Sequence, residues 1–245
     1  MKDTSLLKKA ITSVMVGFIV AAALLVLGHS GAIPWFPPPV VFSLVGLTLL
    51  VSIVFPFVWQ YKENRQRWNS TRIYVWFYNV IRYGIAFNLS TFAFKKFFGL
   101  QLTAAKDISN TPLNMQSGET LTWYYFSYSH TFAFILALLQ LGGAILLLFR
   151  RTLLLGSVIL FSLMLNITLI DIFYHLNLGA LFQALIVTAG VLFILLLHYE
   201  RLLAFFIKPQ PDSFSPTEGS VKTKNLIRLS MMAFALLYTY YLTFI

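Results

Sequence analysis

Seven stretches of this chain stay apolar for about 18 residues or more, enough for a helix rising ~1.5 Å per residue to cross the hydrocarbon core of a bilayer. They run from Ala10 to Leu27, Val40 to Trp59, Ile73 to Phe98, Trp123 to Thr152, Thr152 to Tyr174, Leu178 to Tyr199 and Leu226 to Ile245. In hydrocarbon every peptide group must find its partner inside the segment, so runs of this length without strand alternation can only be helices. The first follows a polar, basic start, MKDTSLLKK, and reads as a signal anchor because its apolar core is too long for a cleaved leader.

Composition agrees. Hydrophobic residues make up 58% of the chain and charged residues 11%, with mean hydropathy +0.78, against about 25% charged in soluble domains. The net charge of +10 sits in short clusters between apolar runs, which argues for topology signals and lipid head groups and against nucleic acid. There is no cysteine, so the chain itself offers no thiolate nucleophile, disulfide relay or thiolate-bound metal.

Placing the N-terminus in the cytoplasm puts 14 of the 18 basic residues inside, among them Lys8, Lys9, Arg65, Arg67, Arg150, Arg151 and Arg201. Lys95, Lys96 and Lys106 fall outside, Arg82 falls within the membrane, and the C-terminus ends outside. Connections follow from Pro34 and Pro37–Pro39, with Trp35 at head-group level, and from the polar segments Gly99–Leu121 and Glu200–Arg228. His29, beside glycines at the end of the first run, reads as solvated. Pro56 sits where it would kink the second span.

The run from Trp123 to Thr152 is the organising one. It opens on the aromatics Trp123, Tyr124, Tyr125 and Phe126, which read as an interfacial belt, and closes on Arg150–Arg151. Gly142-Gly143 within it allow a neighbouring helix to come close.

The third run is the least pure, interrupted by Asn79, Arg82, Asn88, Lys95 and Lys96, and is where function is expected. Counted from Arg72, Arg82 lies ~15 Å deep, level with Gln140 counted from Arg150. An unpaired guanidinium there costs ~2.5–3.5 kcal/mol or more, so Arg82 is expected to face the bundle. Its candidate partners are Gln140, Asn79, backbone carbonyls, water, or an oxygen-bearing ligand such as a quinone or lipid head group. A second constellation, Lys95, His130, Asp171 and His175, gathers near the outer boundary. Asp171 and His175 stand i,i+4 and share a face if the helix continues that far. Proton handling, a weak metal triad and an interfacial cap with Lys95 or Lys96 paired to Asp171 are the alternatives. No HExxH or HxxxH spacing supports a metal, and none is expected.

Arg82-Tyr83-Gly84 with the following lysines, then LLQLGGAILLLFRRTLLLG from Leu138 to Gly156, the asparagine of LMLNITL and the closing HYERLLAFF resemble the DoxX-like membrane proteins. The resemblance spans roughly residues 73 to 206. It implies a four-helix membrane bundle, with two added helices before it in residues 1–72 and a linker and last helix in 207–245. It also implies association with quinone-linked or thiol-linked redox complexes. The expected architecture is therefore an all-α integral membrane protein of seven spans in a bacterial inner membrane. The expected function is a non-catalytic membrane subunit of a redox or quinone-linked complex, holding a quinone or lipid near Arg82 and working with another membrane or periplasmic protein. The alternative is a scaffold or chaperone that holds a partner through the Gly99–Leu121 segment and has no redox role. No inverted repeat or pair of broken helices suggests a transporter.

Overall fold

The computed structural model describes residues 5–28, 33–34, 36–101, 112–207 and 221–242. His29, Trp35, Lys106 and much of the two long polar connections lie outside the described residues. Helices begin where the sequence supplies a cap. Ser5 opens α1 (Leu6–Leu27), and Pro37, with prolines in the first turn, opens α2 (Pro38–Asn64). Asn69 accepts from the Arg72 amide to open α3 (Ser70–Phe97), and Ser117 from the Thr120 amide to open α4 (Gly118–Ser127). Ser129 does the same for α5 (His130–Leu148) through the Phe132 amide. Then follow α6 (Leu153–Phe173), α7 (Leu178–Leu197, capped by Asn177), α8 (Tyr199–Phe206) and α9 (Val221–Leu242).

The Ser129 cap changes one expectation. The aromatic stretch and the apolar run behind it are not one helix: Trp123–Phe126 belong to α4, and the span proper is α5. Ser129 withdraws from helical geometry to bind an amide that α5 cannot satisfy internally, so the chain bends there. The same cap logic at Ser117 makes the end of the expected Gly99–Leu121 loop helical. Pro56, in turn, does not end α2, which continues through it to Asn64.

Five of these helices, α1, α2, α5, α6 and α7, are long and apolar enough to cross a membrane. Their packing inverts that of a soluble protein. Outward faces carry large apolar side chains such as Phe42, Leu50 and Phe57 of α2, while Asn88, Gln140, Thr168, Thr188 and Asp171 are buried inside.

Helices α3, α5, α6 and α7 form a four-helix ring in which α5 packs on α3 and α6, and α6 on α7. The α3–α7 side is the loosest, and α1 fills it. Ile19 of α1 is completely buried in a notch that exists because Gly84 of α3 and Gly190 of α7 have no side chains: a Cβ on Gly84 would collide with Ile19, and one on Gly190 would meet its Cδ1 at 3.0 Å. Gly17 of α1 makes similar room for Ser52 of α2, and the Ser13 hydroxyl donates to the Ser52 carbonyl at 2.7 Å. The chain divides into two compact units, Met1–Leu202 and Leu203–Ile245. The bundle with α1 and α2 belongs wholly to the first; α9 belongs to the second.

Candidate functional site

Arg82 is buried, at 3% exposure, as the cost of an exposed guanidinium demanded. Of the expected partners it takes a backbone carbonyl and not Gln140. Its Nη2 donates to the carbonyl of Leu148, the last residue of α5, and the guanidinium lies 5.0 Å from the centre of the Tyr83 ring. Helix C-terminal carbonyls lack internal donors and sit at the negative end of the helix dipole, so Arg82 serves as a cap supplied from a neighbouring helix. Its Nε is buried without a hydrogen bond, and no hydrogen bond joins it to Asn79. The depth count failed because it set Arg72 level with Arg150. In fact Arg82 stands opposite Leu148 and Leu89 opposite Gln140, so α3 begins well beyond the α5–α6 turn.

Gln140 instead serves the other half of the bundle. Its Nε2 donates to the Leu89 carbonyl at 3.1 Å, and its Oε1 accepts from Lys96 Nζ at 2.9 Å. Lys96 also donates to Gln101 Oε1 at 3.3 Å. These three residues line a cavity of about 140 Å³ between α3, α5, α6 and α7, far from the arginine end. Its walls are largely apolar, with Leu89, Phe92, Leu163 and Ile167 among them, and α4 contributes Thr122, Trp123 and Phe126. Helix α4 is held there by close packing. A Cβ on Gly118 would lie 2.5 Å from the Tyr174 carbonyl oxygen, and Glu119 Oε1 accepts from Asn177 Nδ2 at 3.3 Å. Trp123 and Phe126 thus face the cavity, while Tyr124, Tyr125 and Tyr128 are exposed.

Asp171 lines the same cavity at 5% exposure. Among the described residues, its carboxylate accepts no hydrogen bond, and Lys9–Glu63 is the sole ion pair, so neither Lys95 nor Lys96 is salt-bridged to it. Lys95 lies 5.4 Å from the Phe92 ring centre instead. The rest of the expected outer cluster does not assemble around Asp171. His130 and His175 are exposed, and α6 ends at Phe173, before His175, whose φ of 54° turns the chain away from the helical path. No group of three metal-ligating side chains occurs among the described residues.

No protein-family model matches the sequence. An uncharacterized protein of Bacillus subtilis strain 168, YwoB, is 30% identical over 96 residues, which is 39% of this chain and 61% of YwoB. The chain therefore spans about three-fifths of the length of that relative. No solved structure matches.

Two polar contacts around the cavity were not anticipated as sites. Gln183 of α7 lines it and donates to Asn88 Oδ1 at 2.7 Å, while Asn88 Nδ2 donates to the Gly84 carbonyl at 2.8 Å. Deeper in the bundle the hydroxyls of Thr168 and Thr188 pair at 2.8 Å. The signal for Gln183 was present, since it is the one amide side chain within α7.

At the arginine end, His198 caps α7, and its Nε2 lies 3.0 Å from the Tyr78 hydroxyl of α3. Burial, and then the positive charge of Arg201, hold the His198 pKa below the usual imidazole value. The unfolded chain therefore binds a proton that the folded chain refuses between those two values. Stability should fall as pH drops through about 6.5 and level off below the folded pKa. Thermal unfolding in detergent at pH 7.5 and pH 5 checks this: the acid-induced loss in Tm should shrink in His198→Gln. An equal loss in both proteins would rule out this histidine as the cause.

Proposed function

We propose that this chain is a non-catalytic membrane subunit of a redox or quinone-linked assembly, which holds the polar head of a quinone or lipid in the Lys96–Gln140–Asp171 cavity. The observation that carries this reading is the buried carboxylate of Asp171, facing an otherwise mostly apolar cavity without a partner among the described residues. Buried ionisable groups inside membrane bundles are costly and tend to mark sites of function. The reading moves the ligand from Arg82, which caps α5, to the opposite end of the bundle.

The same proposal takes α3 and α9 as spans beside the five apolar helices, seven in all, in a bacterial inner membrane. Helix α3, at 28 residues, is ~42 Å long and buries Arg82 and Asn88 in the bundle. Arg65, Arg67, Arg150 and Arg151 lie in the connections at one end, which supports placing that end and the N-terminus in the cytoplasm. A DoxX-like core fits the ring of α3, α5, α6 and α7, with α1 and α2 added.

One observation favours a second reading, a scaffold that holds another membrane or secreted protein. Tyr124, Tyr125 and Tyr128 of α4 are exposed together at the cavity end, and tyrosine is enriched at protein interfaces. Purification from native membranes in mild detergent, followed by mass spectrometry of lipid and protein fractions, separates the two. A ligand subunit should retain a quinone or lipid that Gln140→Leu loses. A scaffold should retain a stoichiometric protein partner, keep it in Gln140→Leu and lose it when the three tyrosines are changed to serine.

A further inference from the structure

Lys96 and Asp171 face one cavity from α3 and α6, which stand across the ring from each other, yet they do not pair. An ammonium group has three N–H donors, and Lys96 commits two of them to Gln140 and Gln101. Asp171, with two acceptor oxygens and no described donor, is the complementary half. Two opposite charges held apart in a low-dielectric space each call for compensation, which an apolar filler cannot provide.

We propose, resting on the cavity reading above, that the occupant is the head group of an aminophospholipid of the phosphoethanolamine type. A phosphate oxygen accepts the remaining Lys96 donor, and the primary ammonium donates to Asp171, so both protein charges and both ligand charges are matched. A choline head has no N–H to give Asp171. A glycerol head offers hydroxyls but no cation, and a quinone presents acceptors that suit Lys96 alone. A cavity of about 140 Å³ is close to the ~150 Å³ that accommodates a single benzene ring, so it takes a head group and not the acyl chains. Asn166 of α6 both lines the cavity and is exposed on the helix surface, which gives the chains a way out toward the bilayer. The apolar lining, with Leu163 beside that opening, suits the first methylenes of a lipid better than a free, water-soluble head group.

The test uses the full chain, delipidated in detergent, titrated with phosphatidylethanolamine, phosphatidylcholine, phosphatidylglycerol, ubiquinone and soluble phosphoethanolamine, and read by native mass spectrometry and thermal shift. Phosphatidylethanolamine should bind about tenfold more tightly than the other two phospholipids, as expected for one charge-assisted hydrogen bond. Asp171→Asn should remove that preference, and Lys96→Gln should weaken all three phospholipids. The headgroup series in the wild-type chain decides the matter even if a variant fails to fold. Equal binding of the three phospholipids, tighter binding of ubiquinone, or a preference that survives in folded Asp171→Asn overturns the head-group assignment and leaves the cavity reading intact. Soluble phosphoethanolamine binding as tightly as the lipid overturns the lipid source. Binding of none of these probes overturns the cavity reading itself.

Discussion

Glu63→Ala should destabilise the protein by about 3 kcal/mol or more, because it removes the salt-bridged carboxylate of a completely buried lysine. Lys9 of α1 is completely buried. Its Nζ is salt-bridged to Glu63 of α2, donates to Gln60 Oε1 at 2.6 Å and lies 5.7 Å from the Trp59 ring centre. Removing the carboxylate takes the salt-bridge partner from a buried ammonium, whereas removing both charges leaves only a packing problem. Lys9→Met/Glu63→Leu should therefore recover most of what Glu63→Ala loses. Unfolding curves in detergent for the two single variants and the double variant measure this directly. A single-variant loss under ~1 kcal/mol, the range of exposed pairs, would show that the ion pair is not buried in solution.

The second large effect comes from the α5–α6 hairpin. A Cβ on Gly156 would sit 2.9 Å from the Gly143 carbonyl oxygen, the Leu147 nitrogen and Leu146 Cβ. Two of those atoms are backbone and cannot step aside, so Gly156→Val must push the helices apart. We expect about 3 kcal/mol lost, at the upper end of ordinary overpacking, and a cavity that no longer retains ligand. Gly142→Ala is the matched control. Nothing lies within 4 Å of a Cβ there, so its effect should stay within about 0.5 kcal/mol. Equal losses in the two variants would mean that the close approach at Gly156 does not govern this hairpin.

These two sites also show what was legible in the sequence. The membrane helices were, since their boundaries follow from apolar length and from capping residues such as Asn69 and Asn177, both local properties. Close packing at glycine was legible as a motif but not by residue: of Gly142-Gly143, only Gly143 faces α6, and facing depends on rotation about the helix axis. Lys9 read as a topology marker because Glu63 looked like part of a charged loop; α2 runs on to Asn64 and carries that carboxylate to α1. For the site, Gln140 was correctly singled out as a buried polar group, but its partner was not. Depth counted from a basic residue fixes height only if both helices start at the same level, and α3 and α5 do not. Lys96 and Asp171 were both noticed near one boundary, yet only the folded bundle shows which lysine turns inward and that both histidines turn out.

The seat of Ile19 between Gly84 and Gly190 bears on the order in which the protein comes together in time. Helix α1 leaves the ribosome before either glycine has been made. It can settle against α3 within the same stretch of synthesis, but the second wall of its seat arrives only with α7. The notch can thus close only after all four ring helices have been made. This contact joins α1 to the latest helix of the ring, so it can exist only once α7 has been made.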